Sequence, residues 1–141
     1  MQNPDNIATV LRSADAFSIK GVFITKDSCD IYSPKVVRGS MGAIFRVPFY
    51  IINDAEEYIE CEFNKHGRSY AACLKDTAKT LGDFEFSKNA LVAIGNEANG
   101  LSEMTINACN YQVIVPMKGK IDSLNAGVAA SIIMWEMSNN E

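Results

Sequence analysis

Short apolar runs alternate with stretches of helical period along the whole chain, and no other feature limits the fold as much. GVFIT (21–25), AIFRVP (43–48), SYAACL (69–74), ALVAI (90–94) and YQVIVP (111–116) each have the length and side-chain character of a buried strand. Between them the period changes. NIATVLRSADAF (6–17) puts Ile7, Val10, Leu11, Ala14 and Phe17 on one helical face, with Pro4 and Asp5 just ahead. Ser33-Pro34 pairs a hydroxyl cap with proline at the first helical position, and predicts a helix to about Met41. Asn53 opens a charged helix, DAEEYIECEFNKH, which Gly67 ends. Ser102 to Ala108 reads as a brief helix, and DTAKTLGDFEFSKN (76–89) is turn-rich with room for a short one. The last element, Ser123 to Met137, is apolar on most sides and is expected to be largely buried.

Strands alternating with helices predict an α/β domain with a mostly parallel sheet covered on both faces. In such sheets ligands sit beyond the carboxyl ends of strands. Two loops fall there: GNEANG (95–100), after strand 90–94, and PMKGKIDSLN (116–125), after strand 111–115. In the first, Gly95 and Gly100 flank a lone carboxylate, Glu97. A simple strand-to-helix connection needs no such pair of glycines, whereas a main chain that approaches another group closely does.

The totals narrow the class. With 141 residues, 48% apolar and 21% charged, the chain is long enough for one globular domain with its own core. No apolar run nears the ~18 residues that span a bilayer. Cys29, Cys61, Cys73 and Cys109 form no C-x-x-C and His66 is the single histidine, so reduced thiols in a cytoplasmic protein are expected, with no metal site. Net charge is −4, but unevenly spread: residues 1–50 hold six Lys/Arg against four acids, and residues 51–141 seven against thirteen. The mildly basic half is one candidate phosphate-facing surface and ordinary solvated charge is the other reading. On residues alone other plain readings also stay open. Glu97 can cap a helix, Asn6 can be an N-cap, Arg12 a surface arginine, and Ser123-Leu124-Asn125 the cap of the final helix.

Taken together and in order, three stretches say more. NPDNIATVLRSADAF (3–17), AIGNEANGLS (93–102) and VIVPMKGKIDSLNAGVAASI (113–132) resemble the three signature motifs of the SpoU (TrmH) family of RNA 2′-O-ribose methyltransferases, within the SPOUT superfamily. SPKVVRGSMGAIFRVP (33–48) is similar to the family between its first two motifs, so the resemblance covers nearly the whole chain. Ala8 and Ala98 stand where the family usually has glycine, each a one-methyl change. Family members carry a strand just ahead of the first motif, and many an N-terminal RNA-binding domain before that. This chain opens at the motif, so the resemblance implies a catalytic domain, 1–141, shortened at its N-terminus and lacking one sheet strand.

The resemblance implies a SPOUT-type α/β knot, in which the segment from about 111 onward threads a loop formed near 70–100 as a C-terminal trefoil knot. It implies S-adenosylmethionine bound there mainly through backbone. Leu74, Gly95, Asn96, Glu97, Gly100, Ile114, Val115, Met117, Ser123, Leu124 and Asn125 are its expected contacts, with Gly95 and Gly100 sparing the ligand a Cβ. The expected substrate is a ribose 2′-hydroxyl of rRNA or tRNA, and no metal is required. Arg12 is the implied catalytic arginine. Because guanidinium stays protonated, clamping the target phosphate and stabilising the developing oxyanion suit it better than a base's role. Asn6, Ser123 and Asn125 are expected to orient the hydroxyl, and Glu97 to organise its loop. The site is expected to be completed across a homodimer through the last helix. Two other classes stand beside this reading: an RNA-binding module without turnover, and a nicotinamide-binding Rossmann oxidoreductase. The latter calls for a G-x-G-x-x-G near the first strand, which is absent.

Overall fold

The first helix, α1 (Pro4–Ala16), starts on Asn3, whose side chain accepts a hydrogen bond from the Asp5 amide, so the cap is Asn3 and not Asn6. A computed structural model describes residues 1–139. After α1 come β1 (Val22–Thr25), α2 (Pro34–Gly39), β2 (Phe49–Ile52), α3 (Ala55–Cys61), β3 (Arg68–Ala72), β4 (Lys79–Thr80), β5 (Ala90–Ala93), α4 (Glu103–Ala108), β6 (Tyr111–Ile114) and α5 (Ala126–Asn139). Every strand pairing is parallel, as the alternation predicts.

The strands form two sheets where one was expected. Among the described residues β1 pairs only with β2, and a second sheet runs β4-β6-β3-β5. An apolar cleft of about 750 Å³ lies between the edges of β1 and β5.

The apolar run 43–48 predicts a strand, and the structure has none there. Ala43–Phe45 is a 3₁₀ turn, entered through Met41 and Gly42 at positive φ (54° and 83°). Ala43, Ile44 and Val47 are all buried, a one-then-three spacing that belongs to a helical face and that strand alternation cannot satisfy. The strand begins after Pro48, which has no N–H to give a ladder. Residues 76–89 hold no helix either. Phe84 and Phe86, two apart, fold back on Tyr70 (ring centroids 5.9 and 4.8 Å), and the Ser87 amide donates to the Tyr70 hydroxyl at 3.0 Å.

One core lies among α1, α2, β1 and α5, built on Leu11, Ala14, Val36, Ile44 and Ala130. A second, around Tyr70, Phe86, Val113 and Ile133, sits on the four-stranded sheet. Leu11 is completely buried, so its truncation to Ala costs on the order of 2–5 kcal/mol. α5 is less buried than its composition predicts. Gly127, Ala130, Ile133 and Met134 face inward, while Val128, Ile132 and Trp135 are 45%, 37% and 54% exposed. The helix starts at Ala126, three residues later than expected. Asn125 caps it by accepting from the Val128 amide at 3.1 Å, and Ser123 and Leu124 lie in the loop. Among the described residues no helix is long and apolar enough to cross a membrane.

Candidate active site at the carboxyl ends of the parallel strands

Glu97 joins the loop after β5 to the start of α1. Its carboxylate accepts from the amides of Gln2 (3.2 Å) and Asn3 (3.0 Å) and from Asn6 Nδ2 (3.0 Å). Helix N-termini leave unpaired amides and a partial positive charge, so a carboxylate is the natural partner there. Partial burial pushes this carboxyl up. The hydrogen bonds from Asn6, Asn3, Glu97's own backbone and Gln2 outweigh that and hold its pKa at about 2. Glu97 is therefore a committed anion that receives hydrogen bonds. Asn6, almost fully buried at 3% exposure, is held by it.

The next turn of contacts brings in α5. A Cβ placed on Gly127 would stand 3.1 Å from Asn6 Oδ1, 3.2 Å from Asn125 Oδ1 and 3.2 Å from Thr9 Cβ. Both asparagines thus converge on one glycine, which lets α5 seat against α1. Ser13 Oγ and Ser131 Oγ, 2.7 Å apart, fix the same pair of helices one turn further on. Gly127 was not singled out from the sequence; its position two residues after Asn125 was the available signal.

The glycines of 95–100 have separate causes. A Cβ on Gly95 would lie 2.2 Å from the Gly100 carbonyl carbon and 2.3 Å from the Leu101 nitrogen. The close approach that Gly95 permits in this structure is to its own loop. Gly100 has φ 66°, and a Cβ there would meet nothing within 4 Å, so glycine is needed for its left-handed backbone and not for space. Asn96 closes the loop: its Oδ1 accepts from Ala98 (3.0 Å) and Asn99 (2.7 Å), and its carbonyl accepts from the Gly100 amide (3.2 Å).

Beyond the ends of β3 and β6 lies a second cavity of about 540 Å³, lined by Leu74, Ile114, Met117, Gly119, Lys120, Ile121 and Asp122. Three of the expected cofactor contacts (Leu74, Ile114 and Met117) meet there. Gly119, Lys120, Ile121 and Asp122 also line it and were missed, because no period or capping signal marks them within the loop 116–125. Val115 packs against the second core and does not line this cavity. Ser123 and Leu124 are exposed in the same loop outside it, and Gly95, Asn96, Gly100 and Asn125 do not line it either. Arg12 projects from α1 into solvent and, among the described residues, has no hydrogen-bond or ion-pair partner. Arg46, by contrast, is bound to Asp15 through two nitrogens at 2.9 and 2.7 Å. No cluster of three or more His, Cys, Asp or Glu able to hold a metal occurs among the described residues.

In parallel α/β folds ligands sit beyond the carboxyl ends of the strands, where this cavity lies. The SpoU rRNA Methylase family model matches residues 1–135, and the chain belongs to this family. It is 34% identical over 138 residues to the 23S rRNA (uridine(2479)-2′-O)-methyltransferase of Streptomyces viridochromogenes, spanning 95% of this chain and 48% of that protein. Among solved structures, the SpoU methyltransferase AviRb from the same organism, in complex with AdoMet, superposes with a TM-score of 0.85 at 31% identity, covering 98% of this chain and 56% of that one. The AdoMet-bound rRNA methyltransferase of Sinorhizobium meliloti gives 0.89 at 27% identity, covering 98% and 52%. The chain spans about half the length of the curated relatives it matches.

Proposed function

We propose that this chain forms the catalytic region of an S-adenosylmethionine-dependent RNA methyltransferase acting on a ribose 2′-hydroxyl of rRNA or tRNA. The observation that carries the reading is the hold of Glu97 on Asn6 at the start of α1, with Asn6 and Asn125 meeting at Gly127 of α5. The residues fit the cofactor. A cavity of about 540 Å³ is within the usual range for small-ligand sites, roughly 300–1,000 Å³. Leu74, Ile114 and Met117 offer an apolar wall for a purine, and Lys120 and Asp122 offer charges for the two ionised groups of an amino-acid tail. When bound, the cofactor supplies a methyl group already activated by its sulfonium.

The protein's own task is then positioning and charge stabilisation. Arg12, unpaired and exposed, is free to take an RNA phosphate in its planar fork and to stabilise the oxygen as its proton leaves. Glu97 fixes Asn6, and with it the first turn of the helix that carries Arg12. Asn125 and Ser123 line the approach from the other side. A homodimer through the exposed face of α5 (Val128, Ile132, Trp135) and a threaded C-terminal segment belong to the same reading. The insertion of β6 between β3 and β4 supports the threading, and the four free thiols suit a cytoplasmic, reducing compartment.

Calorimetric titration of the chain with S-adenosylmethionine and, separately, NADH tests the cofactor assignment. Binding of the first alone is expected; binding of NADH alone, or of neither, would overturn it.

A further inference from the structure

Asp5, Ala8, Arg12 and Asp15 form one stripe along α1, at spacings of three, four and three residues. The segment from α2 through the 3₁₀ turn runs beside that stripe in the same direction. Lys35 Nζ stands 3.9 Å from Asp5 Oδ2, and a Cβ on Gly39 would stand 2.8 Å from Ala8 Cβ. Further on, Arg46 Nη2 stands 2.7 Å from Asp15 Oδ2. Both acids of α1 are therefore met by cations of the neighbouring segment, and Arg12 lies between them. Residues 33–48 contain no Asp or Glu, so that segment offers Arg12 no carboxylate.

Asp15 is the acid within reach of Arg12. Residues three apart on a helix are surface neighbours, with Cβ atoms ~5–6 Å apart, and an arginine and a carboxylate so placed can pair. They do not pair here. Arg12 is exposed without a partner among the described residues, while Asp15 Oδ2 accepts from Arg46 Nε at 2.9 Å and Nη2 at 2.7 Å. With its charge met by Arg46, Asp15 exerts little net pull on Arg12; bare, it would be a full negative charge one turn away.

The turn that delivers Arg46 is built for this contact. Met41 and Gly42 take φ of 54° and 83°, and the Met41 carbonyl accepts from Arg46 Nη2 at 3.4 Å. Arg46 Nη1 passes over Gly42, where a Cβ would stand 3.2 Å away. Left-handed backbone at a residue other than glycine is costly and persists only where its surroundings fix it. Stability is a weak reason for the arrangement, because ion pairs as exposed as this one contribute little to folding. A cation set on the acid beside Arg12 is a stronger one.

We propose that Arg46 is a positioning residue, which by holding Asp15 keeps the guanidinium of Arg12 free for an RNA phosphate. The inference rests on the reading of Arg12 under the proposed function.

The test uses Arg46→Ala, alone and combined with Asp15→Asn, with Arg12→Ala as reference. In the chain itself, NMR follows solvent exchange of the Arg12 Nε–H, assigned by its loss in Arg12→Ala. In the full-length enzyme, methyl transfer from labelled S-adenosylmethionine into total rRNA and tRNA from cells lacking the enzyme is measured beside cofactor affinity. Expected for Arg46→Ala are ~threefold or greater slowing of Arg12 exchange, as Asp15 captures it, and ~tenfold loss of transfer at unchanged cofactor affinity. Adding Asp15→Asn should restore both, a rescue that a purely structural pin would not give. If Arg46→Ala fails to fold, Arg46→Gln replaces it, keeping a hydrogen-bond donor for Asp15 without the charge. Exchange and transfer unchanged in the Arg46 variant, or a double variant as impaired as the single one, overturn the proposal. Those results with Arg12→Ala inactive leave the reading of Arg12 standing, whereas normal transfer by Arg12→Ala removes that reading and this inference together.

Discussion

Glu97 Oε1 accepts the Asn6 side-chain amide at 3.0 Å, across 91 residues of sequence. This contact connects the first and second sequence motifs and makes the acid a latch on α1. A carboxyl held at about 2 in the fold and near ~4.3 when unfolded contributes stability that is whole above the unfolded value and is lost as pH falls toward 2. Denaturation midpoints measured from pH 6 down to pH 2 should therefore fall more steeply for wild type than for Glu97→Gln. Parallel slopes would show that the latch contributes nothing.

Arg12→Ala should change stability by no more than ~0.5 kcal/mol, because the side chain is exposed and unpaired. In the full-length enzyme it should abolish methylation while S-adenosylmethionine affinity persists. Arg12→Lys keeps the charge without the bidentate fork and should rescue poorly. Single-turnover assays on the three proteins decide the matter, and normal turnover by the alanine variant would remove Arg12 from the mechanism.

Gly95→Ala should destabilise the fold by ~1–3 kcal/mol, since its methyl meets the Gly100–Leu101 main chain at 2.2–2.3 Å and the loop has to open. Cofactor affinity should fall as a consequence. A urea titration that leaves the midpoint unchanged would restore the simpler idea that this glycine serves only the ligand.

Val128→Asp places a charge on the exposed apolar face of α5, at a residue that is not part of the buried core. Light scattering at tens of micromolar should then report half the wild-type mass, with a thermal midpoint no longer dependent on concentration. Equal masses for the two proteins would count against the proposed homodimer through this face.

What the sequence made legible was whatever local period and capping chemistry decide. Ser33-Pro34 and Ser102 start helices as expected, and β3, β5 and β6 lie where apolar runs end in turn residues. Residues 43–48 misled because an apolar run of six does not by itself distinguish a strand from a tight turn; Met41 and Gly42 at positive φ decided it. The site was legible as a set of residues and not as contacts. That Glu97 reaches Gln2 and Asn3, and that Gly127 sits under both asparagines, depends on tertiary packing between segments about a hundred residues apart, for which no periodicity exists. The exposure of Trp135 was equally hidden, since apolarity on all sides of a helix predicts burial without saying by which chain.

The contact between α1 and α5, pinned by Ser13 and Ser131 at a separation of 118 residues, also dictates a timetable. α1 leaves the ribosome long before α5, the helix it lies against. At ~5–20 residues per second, α1 waits several seconds or longer with its apolar stripe uncovered before its partner has been synthesised. The core around Leu11 therefore closes only after α5, which supplies Ala130 and Met134, has been synthesised. Nascent chains stalled before residue 126 should be selectively bound by chaperones and cut by proteases at α1.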